Sequence, residues 1–163
     1  LRRLELADQP FMTREETSKY TDPLPDGTAR IFSLDMDAKS LITEPAFPDK
    51  LTGPGWWEVR GLAWSGRGKI AKVDISVDGG KSWQPAKLDE PVLPKCHTRF
   101  RLPFEWRGGE TTLMSRATDE TGYTQPTLQV LMDTRGPATA YHFNHIRGWK
   151  VLADGTVKFA GGA

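Results

Sequence analysis

Residues 69–88, Lys-Ile-Ala-Lys-Val-Asp-Ile-Ser-Val-Asp-Gly-Gly-Lys-Ser-Trp-Gln-Pro-Ala-Lys-Leu, limit the possible folds more than any other stretch of the chain. Ala71, Val73, Ile75 and Val77 alternate with Lys72, Asp74, Ser76 and Asp78, the period of two that marks a strand with one buried face. Asp78-Gly79-Gly80 then offers residues that accept positive φ at little steric cost, so the chain can double back into a hairpin. Trp83 is expected to re-enter the core just beyond the turn. Pro85 follows it, and because proline donates no ladder bond, that second strand is expected at a sheet edge or at a bulge.

The same periodicity recurs. Phe100, Leu102, Phe104 and Trp106 fall on one parity against Arg99, Arg101 and Glu105. Strand patterns also cover 31–36, 40–43, 56–64, 111–119 (with Leu113, Ser115 and Ala117 on one face) and 128–132, and 149–159 reads as a small hairpin about Asp154-Gly155. Runs this short, separated by Gly and Pro at spacings of about 8–12 residues, predict an all-β chain built as an antiparallel β-sandwich. A mostly irregular tail is expected before it. In residues 1–30 the apolar Leu4, Leu6 and Phe11 are followed by a polar stretch, and Pro23, Pro25 and Gly27 argue against regular structure. Two readings of that apolar set stand side by side: a surface that packs on a neighbouring domain, or a strand capping the sandwich itself. The length of 163 residues suits one domain, at 31–163, plus such a segment.

Composition narrows the partners. Lys and Arg total 22 against 21 Asp and Glu, a net +1, so charge gives no case for nucleic acid or an anionic membrane. The basic side chains Arg60, Arg67, Lys69, Lys72, Arg99 and Arg101 alternate with acids that cancel most of a stripe. No apolar run approaches 18 residues, and the chain starts without methionine or signal peptide, so it reads as a piece of a longer protein. Its one cysteine, Cys96, excludes an internal disulfide and a Cys-x-x-Cys pair.

Candidate chemistry is sparse. His142 and His145, in Tyr-His-Phe-Asn-His, could share a metal only with a third and fourth ligand, and the chain offers just His97 and scattered carboxylates. Loop histidines or residues facing a partner are the plainer expectation. Cys96 lies between Lys95 and His97, but sequence adjacency supplies neither a positioned base nor an oxyanion site. There is no catalytic triad motif and no phosphate loop, and Asp119-Glu120 is expected to be a solvated turn.

Three blocks in order carry a resemblance: Gly61-Leu62-Ala63-Trp64-Ser65-Gly66, the Asp78-Gly79-Gly80 turn with Ser82-Trp83, and Ser115-Arg116-Ala117-Thr118-Asp119 with Gln125-Pro126. Together they resemble the immunoglobulin-like (E-set) dimerisation domain of the sulfite oxidase family, enzymes that oxidise sulfur centres at a molybdenum cofactor. Residues 1–5 resemble the last strand of that family's cofactor domain, and residues 6–40 the passage between the two domains. Two further stretches, 48–58 and 93–101, are most similar to the bacterial sulfane dehydrogenases of periplasmic thiosulfate oxidation.

The resemblance implies a homodimer, a c-type cytochrome and a sulfur-carrier protein as partners, a periplasmic location and no contact with nucleic acid or membrane. It also implies that molybdopterin is held by a preceding domain, with residues 1–30 its tail and linker. The chain alone would then bind no cofactor or metal and be catalytically inactive. In this family an arginine from the late part of the domain reaches the substrate pocket, and Arg135, in Thr134-Arg135-Gly136, matches it, although the aromatic-Asn residues before the family's Arg-Gly are replaced here. A second alignment puts Tyr141, His142 and Asn144 at the pocket edge, and a solvated loop arginine is the alternative for Arg135. A reading from another class makes the chain a free-standing immunoglobulin-like binding module with exposed tryptophans as anchors.

Overall fold

The computed structural model describes residues 1–24, 26–31, 34–136 and 142–162. Its elements in order are α1 (Arg14–Ser18), β1 (Asp22–Pro23), β2 (Ala29–Arg30), β3 (Lys39–Glu44), β4 (Gly55–Trp64), β5 (Ile70–Ser76), β6 (Gln84–Pro85), β7 (Lys87–Leu88), β8 (Thr98–Trp106), β9 (Thr111–Asp119), α2 (Leu128–Arg135), β10 (Arg147–Val151) and β11 (Val157–Gly162). One sheet runs β3-β4-β8-β7 and the other β11-β10-β9-β5-β6. All their pairings are antiparallel, and side chains from both sheets form a single buried core, as an immunoglobulin-like sandwich requires.

The alternation in β8 comes out as expected: Thr98, Phe100, Phe104 and Trp106 point inward, with Leu102 half-buried on the same face. Across the ladder Phe100 faces Gly61 of β4. A Cβ at Gly61 would lie 2.2 Å from Phe100 Cζ and 2.3 Å from the Leu41 carbonyl oxygen, so the glycine makes room for the aromatic ring. From the opposite sheet Val73, Ile75, Leu113, Ala117 and Val151 complete the core.

The central hairpin forms, with two corrections. A register shift against β9 between Ile70 and Lys72 turns Ile70 inward and leaves Ala71 exposed. The alternation read from Ala71 onward is not kept beyond Val73 either: Asp74 and Ser76 are buried along with Val73 and Ile75, Asp74 under its ion pairs with Lys72 and Arg116. Trp83 does not enter the core. It is half-buried, with the Arg116 guanidinium 4.3 Å above its ring. Asp78 organises the turn by accepting from the Ser82 amide (2.9 Å) and hydroxyl (2.6 Å) and the Ser76 hydroxyl (2.7 Å). The Ser82 hydroxyl and amide, then Ser76, lower its pKa to about 2. Pro85 lies in β6, at the sheet edge, where its missing N–H costs no ladder bond. The Asp154-Gly155 hairpin is also present, pairing Trp149 with Phe159.

Other expectations give way. Residues 128–132 belong to helix α2, where Leu131 and Arg135 are buried one turn apart and the Thr127 side chain caps the Val130 amide at 3.3 Å. A short, mostly apolar run of five residues does not separate strand from helix. Of the strand expected at 31–36, the described residues 31 and 34–36 are not in a strand. In the tail, the polar stretch forms α1, and Pro23 pairs with Ala29 in a two-stranded ribbon around Gly27, whose φ is +83°. Leu4, Leu6 and Phe11 are exposed and outside any strand, so they do not cap this sandwich.

The Gly61–Phe100 contact gives a direct test. Gly61→Ala is expected to destabilise the chain by about 2 kcal/mol or more through overpacking, whereas Gly53→Ala, with nothing within 4 Å, should change stability by less than about 0.5 kcal/mol. Urea unfolding of both variants would measure this, and equal effects would contradict the account.

Candidate functional site

Asp37, just before β3, anchors the one dense polar cluster that contains the expected site residues. Its side chain is 1% exposed. The Arg135 guanidinium at the end of α2 pairs with its Oδ2, and Arg67, from the turn after β4, approaches Oδ1 at 2.5 Å. Arg135 also reaches Asp22 Oδ2 at 3.7 Å, so α2 is tied to the tail as well as to the sandwich. Arg135 is only 8% exposed, which corrects the solvated-loop alternative.

His142 joins from the other side. Its Nε2 accepts the Asp37 amide hydrogen at 2.8 Å, which puts the proton of the neutral ring on Nδ1. Burial alone would raise the Asp37 pKa, but the Arg67 and Arg135 guanidiniums outweigh it and hold the carboxyl below the usual carboxylate range. Asn144 donates from Nδ2 to the Ala38 carbonyl (3.0 Å) and to the Tyr123 hydroxyl (3.1 Å). Burial pushes the Tyr123 hydroxyl pKa upward, with the Asn144 bond opposing.

The structure thus brings Arg135, His142 and Asn144 around residues 37 and 38. Tyr141 lies outside the described residues. The sequence reading singled out neither Asp37 nor Tyr123. It also misjudged Asp119, expected to be solvated but 1% exposed. Asp119 accepts from the Ser65 hydroxyl (2.7 Å), from the Thr121 hydroxyl (2.6 Å) and amide (3.0 Å), and from the Tyr123 amide (3.2 Å). A turn closed by its first side chain buries that side chain.

Other candidates are placed apart. Cys96 is exposed in the loop between β7 and β8, after Lys95 with φ 58°. His142 and His145 are engaged separately, His142 on Asp37 and His145 edge-on against Phe143 at 4.2 Å. Among the described residues no three His, Cys, Asp or Glu side chains come together as metal ligands. No described helix is long and apolar enough to cross a membrane.

Comparison with known proteins settles the family. The family model described as the Mo-co oxidoreductase dimerisation domain matches residues 30–148. The chain belongs to this family. The crystal structure of the sulfane dehydrogenase SoxCD from Paracoccus pantotrophus superposes with a TM-score of 0.88 at 50% identity, over 93% of this chain and 39% of that one. Mitochondrial sulfite oxidase of Homo sapiens is 33% identical over 121 residues, 69% of this chain and 22% of the human protein. NADH nitrate reductase of Solanum lycopersicum is 31% identical over 106 residues, 56% of this chain and 12% of that protein. The chain therefore spans about a fifth of the sulfite oxidase and about two-fifths of the SoxCD chain it matches.

For this dimerisation domain the Asp37 cluster is the feature most exposed to mutation. Asp37→Asn leaves two guanidiniums without their shared carboxylate and is expected to destabilise by about 3 kcal/mol at pH 7. The Asp37 carboxyl titrates lower in the folded than in the unfolded chain, so its stabilisation is fully present above the unfolded pKa, about 3.9. It is lost as pH falls through the lower folded value. The stability gap between wild type and Asp37→Asn should shrink below about pH 4; urea unfolding at pH 7 and pH 3 would reveal this, and a constant gap would refute it.

Proposed function

We propose that this chain is the C-terminal dimerisation portion of a molybdenum-dependent sulfur oxidoreductase of the sulfane dehydrogenase type. The whole enzyme oxidises a sulfur centre presented on a carrier protein and passes the electrons to a c-type cytochrome, in the periplasm. The observation that carries the reading is the 50% identity maintained over 93% of the chain with SoxCD. Membership of the family does not by itself choose the substrate, because a nitrate reductase contains the same kind of domain. In this reading molybdopterin belongs to a preceding domain, of which residues 1–30 are the tail and linker, and the chain at 31–163 supplies the homodimer contact.

The Asp37 cluster supports a positioning role at the substrate pocket. Arg135, Tyr141, His142 and Asn144 form its rim in this proposal, with Arg135 the fixed cation for an anionic sulfur group. Asp22 and Asp37 hold Arg135 in place and reduce its charge, so anion binding there calls for the looser contact, to Asp22, to open. The free-standing module finds less support. Of the six tryptophans Trp56 is exposed, at 75%, while Trp57, Trp64, Trp83 and Trp149 are half-buried and Trp106 is buried.

The test is to extend the genomic reading frame upstream of Leu1 and purify the complete protein. A preceding domain that binds molybdenum, a sedimenting dimer, and cytochrome reduction driven by carrier-bound sulfane sulfur are expected. Molybdenum-free protein would overturn the oxidoreductase reading, and oxidation of free sulfite alone would overturn only the sulfane assignment. In the complete enzyme Arg135→Met should raise KM for the anionic substrate about tenfold, and an unchanged KM would remove Arg135 from the rim.

A further inference from the structure

Three basic residues gather beside the Asp37 cluster without a carboxylate of their own. Lys39 opens β3 and Arg147 opens β10, and residues 143–145 run between them. The Lys39 ammonium donates to the Phe143 carbonyl at 3.0 Å, which occupies one of its three N–H groups. The Arg147 guanidinium lies 5.5 Å from the centre of the Phe143 ring, and its Nε is buried with no hydrogen-bond partner. His145 meets the same ring edge-on, is 3% exposed, and its Nδ1 is buried and unpartnered. The end of β11 closes the far edge of the imidazole, since a Cβ on Gly162 would lie 2.3 Å from His145 Nε2.

Elsewhere the half-exposed cations find acids. Arg60 pairs with Glu58, Arg101 with Asp89, Arg116 with Asp74 and Lys150 with Glu110. Among the described residues the ion pairs include neither Lys39 nor Arg147. The nearest acid in sequence, Asp37, is shared by Arg67 and Arg135. Burial first, then Arg147, lowers the Lys39 pKa; burial, Arg147 and Lys39 lower that of His145. The group carries like charges that repel, with donors lacking acceptors, and a cluster of this kind is stable at low cost only when an anion joins it.

We propose that Lys39, Arg147 and the unpartnered face of His145 form a binding site for a small tetrahedral dianion of the sulfate, thiosulfate or phosphate type. Two cations match its charge, and its four oxygens can accept from ammonium, guanidinium and imidazole N–H groups at once, which a carboxylate with two oxygens and one charge does less well. Repulsion from the same cations disfavours a metal ion. The site is separate from the Arg135 rim, and it holds whether or not the parent enzyme acts on sulfane sulfur.

Thermal unfolding of the 163-residue chain in sodium sulfate, sodium chloride and sodium acetate at equal ionic strength tests it. Sulfate is expected to raise Tm by about 4 °C more than chloride. Arg147→Gln and Lys39→Met should each lose that excess, while Arg107→Gln, whose guanidinium pairs with Glu105 on the surface, should keep it. A sulfate titration followed by amide NMR of the unmodified chain should shift residues 143–148 and leave 98–106 unchanged, a readout that needs no variant to fold. An equal rise in chloride, an equal rise in acetate (which would assign the cluster to a carboxylate), or an excess retained in both variants would each overturn the proposal.

Discussion

One amide side chain, that of Gln125, holds the two layers of the sandwich in register. It is 2% exposed. Its Oε1 accepts from the Ser40 amide (2.9 Å) and hydroxyl (2.8 Å) in one sheet and from the Ala117 amide (3.1 Å) in the other, and its Nε2 donates to the His145 carbonyl (3.2 Å). Because the single Ser40 hydroxyl hydrogen goes to Gln125, Ser115 must be the donor in the 2.9 Å contact between the two serine hydroxyls. Polar groups this deep are costly when unpaired and specific when satisfied. Apolar burial would let the layers slide by small amounts, whereas this network accepts one offset. Trp149 adds a second tie, its indole N–H donating to the Ile42 carbonyl across the layers at 2.9 Å.

From that tie the rest of the polar end follows. Gln125 fixes where β3 starts and where the segment around His145 runs, and so brings Asp37 and Lys39 beside residues 142–147. The expected rim residues and the unneutralised cations are therefore neighbours by construction. Their surroundings differ: Arg135 has two carboxylates, whereas among the described residues the ion pairs include neither Lys39 nor Arg147.

Much of this was legible in the chain. The Asp-Gly-Gly turn, the parity of β8 and the Asp154-Gly155 hairpin are local signals, and local physics decides them. Pro85 announced a sheet edge because its deficit is intrinsic to the residue. The failures share a different cause. The bulge after Ile70 depends on the partner strand, α2 depends on a cap and on the burial of Leu131 and Arg135 together, Asp37 is buried by groups from distant parts of the chain, and Asp119 by its own turn together with the distant Ser65. The blocks that carried the family resemblance included Gln125-Pro126, yet nothing in the sequence said that the glutamine was a bridge between sheets.

The Asp22–Arg135 contact has a mechanical consequence. The first 21 residues lead into β1, whose Asp22 is held by a guanidinium that Asp37 also grips. Tension applied along the tail therefore bears on the β1–β2 ribbon and on that loose 3.7 Å ion pair, next on the Asp37 clamp, and only afterwards on the pairing of β3 with β4. The tail is hinged to the domain through a graded series of electrostatic catches, and it can be drawn away in steps while the hydrophobic interior stays closed.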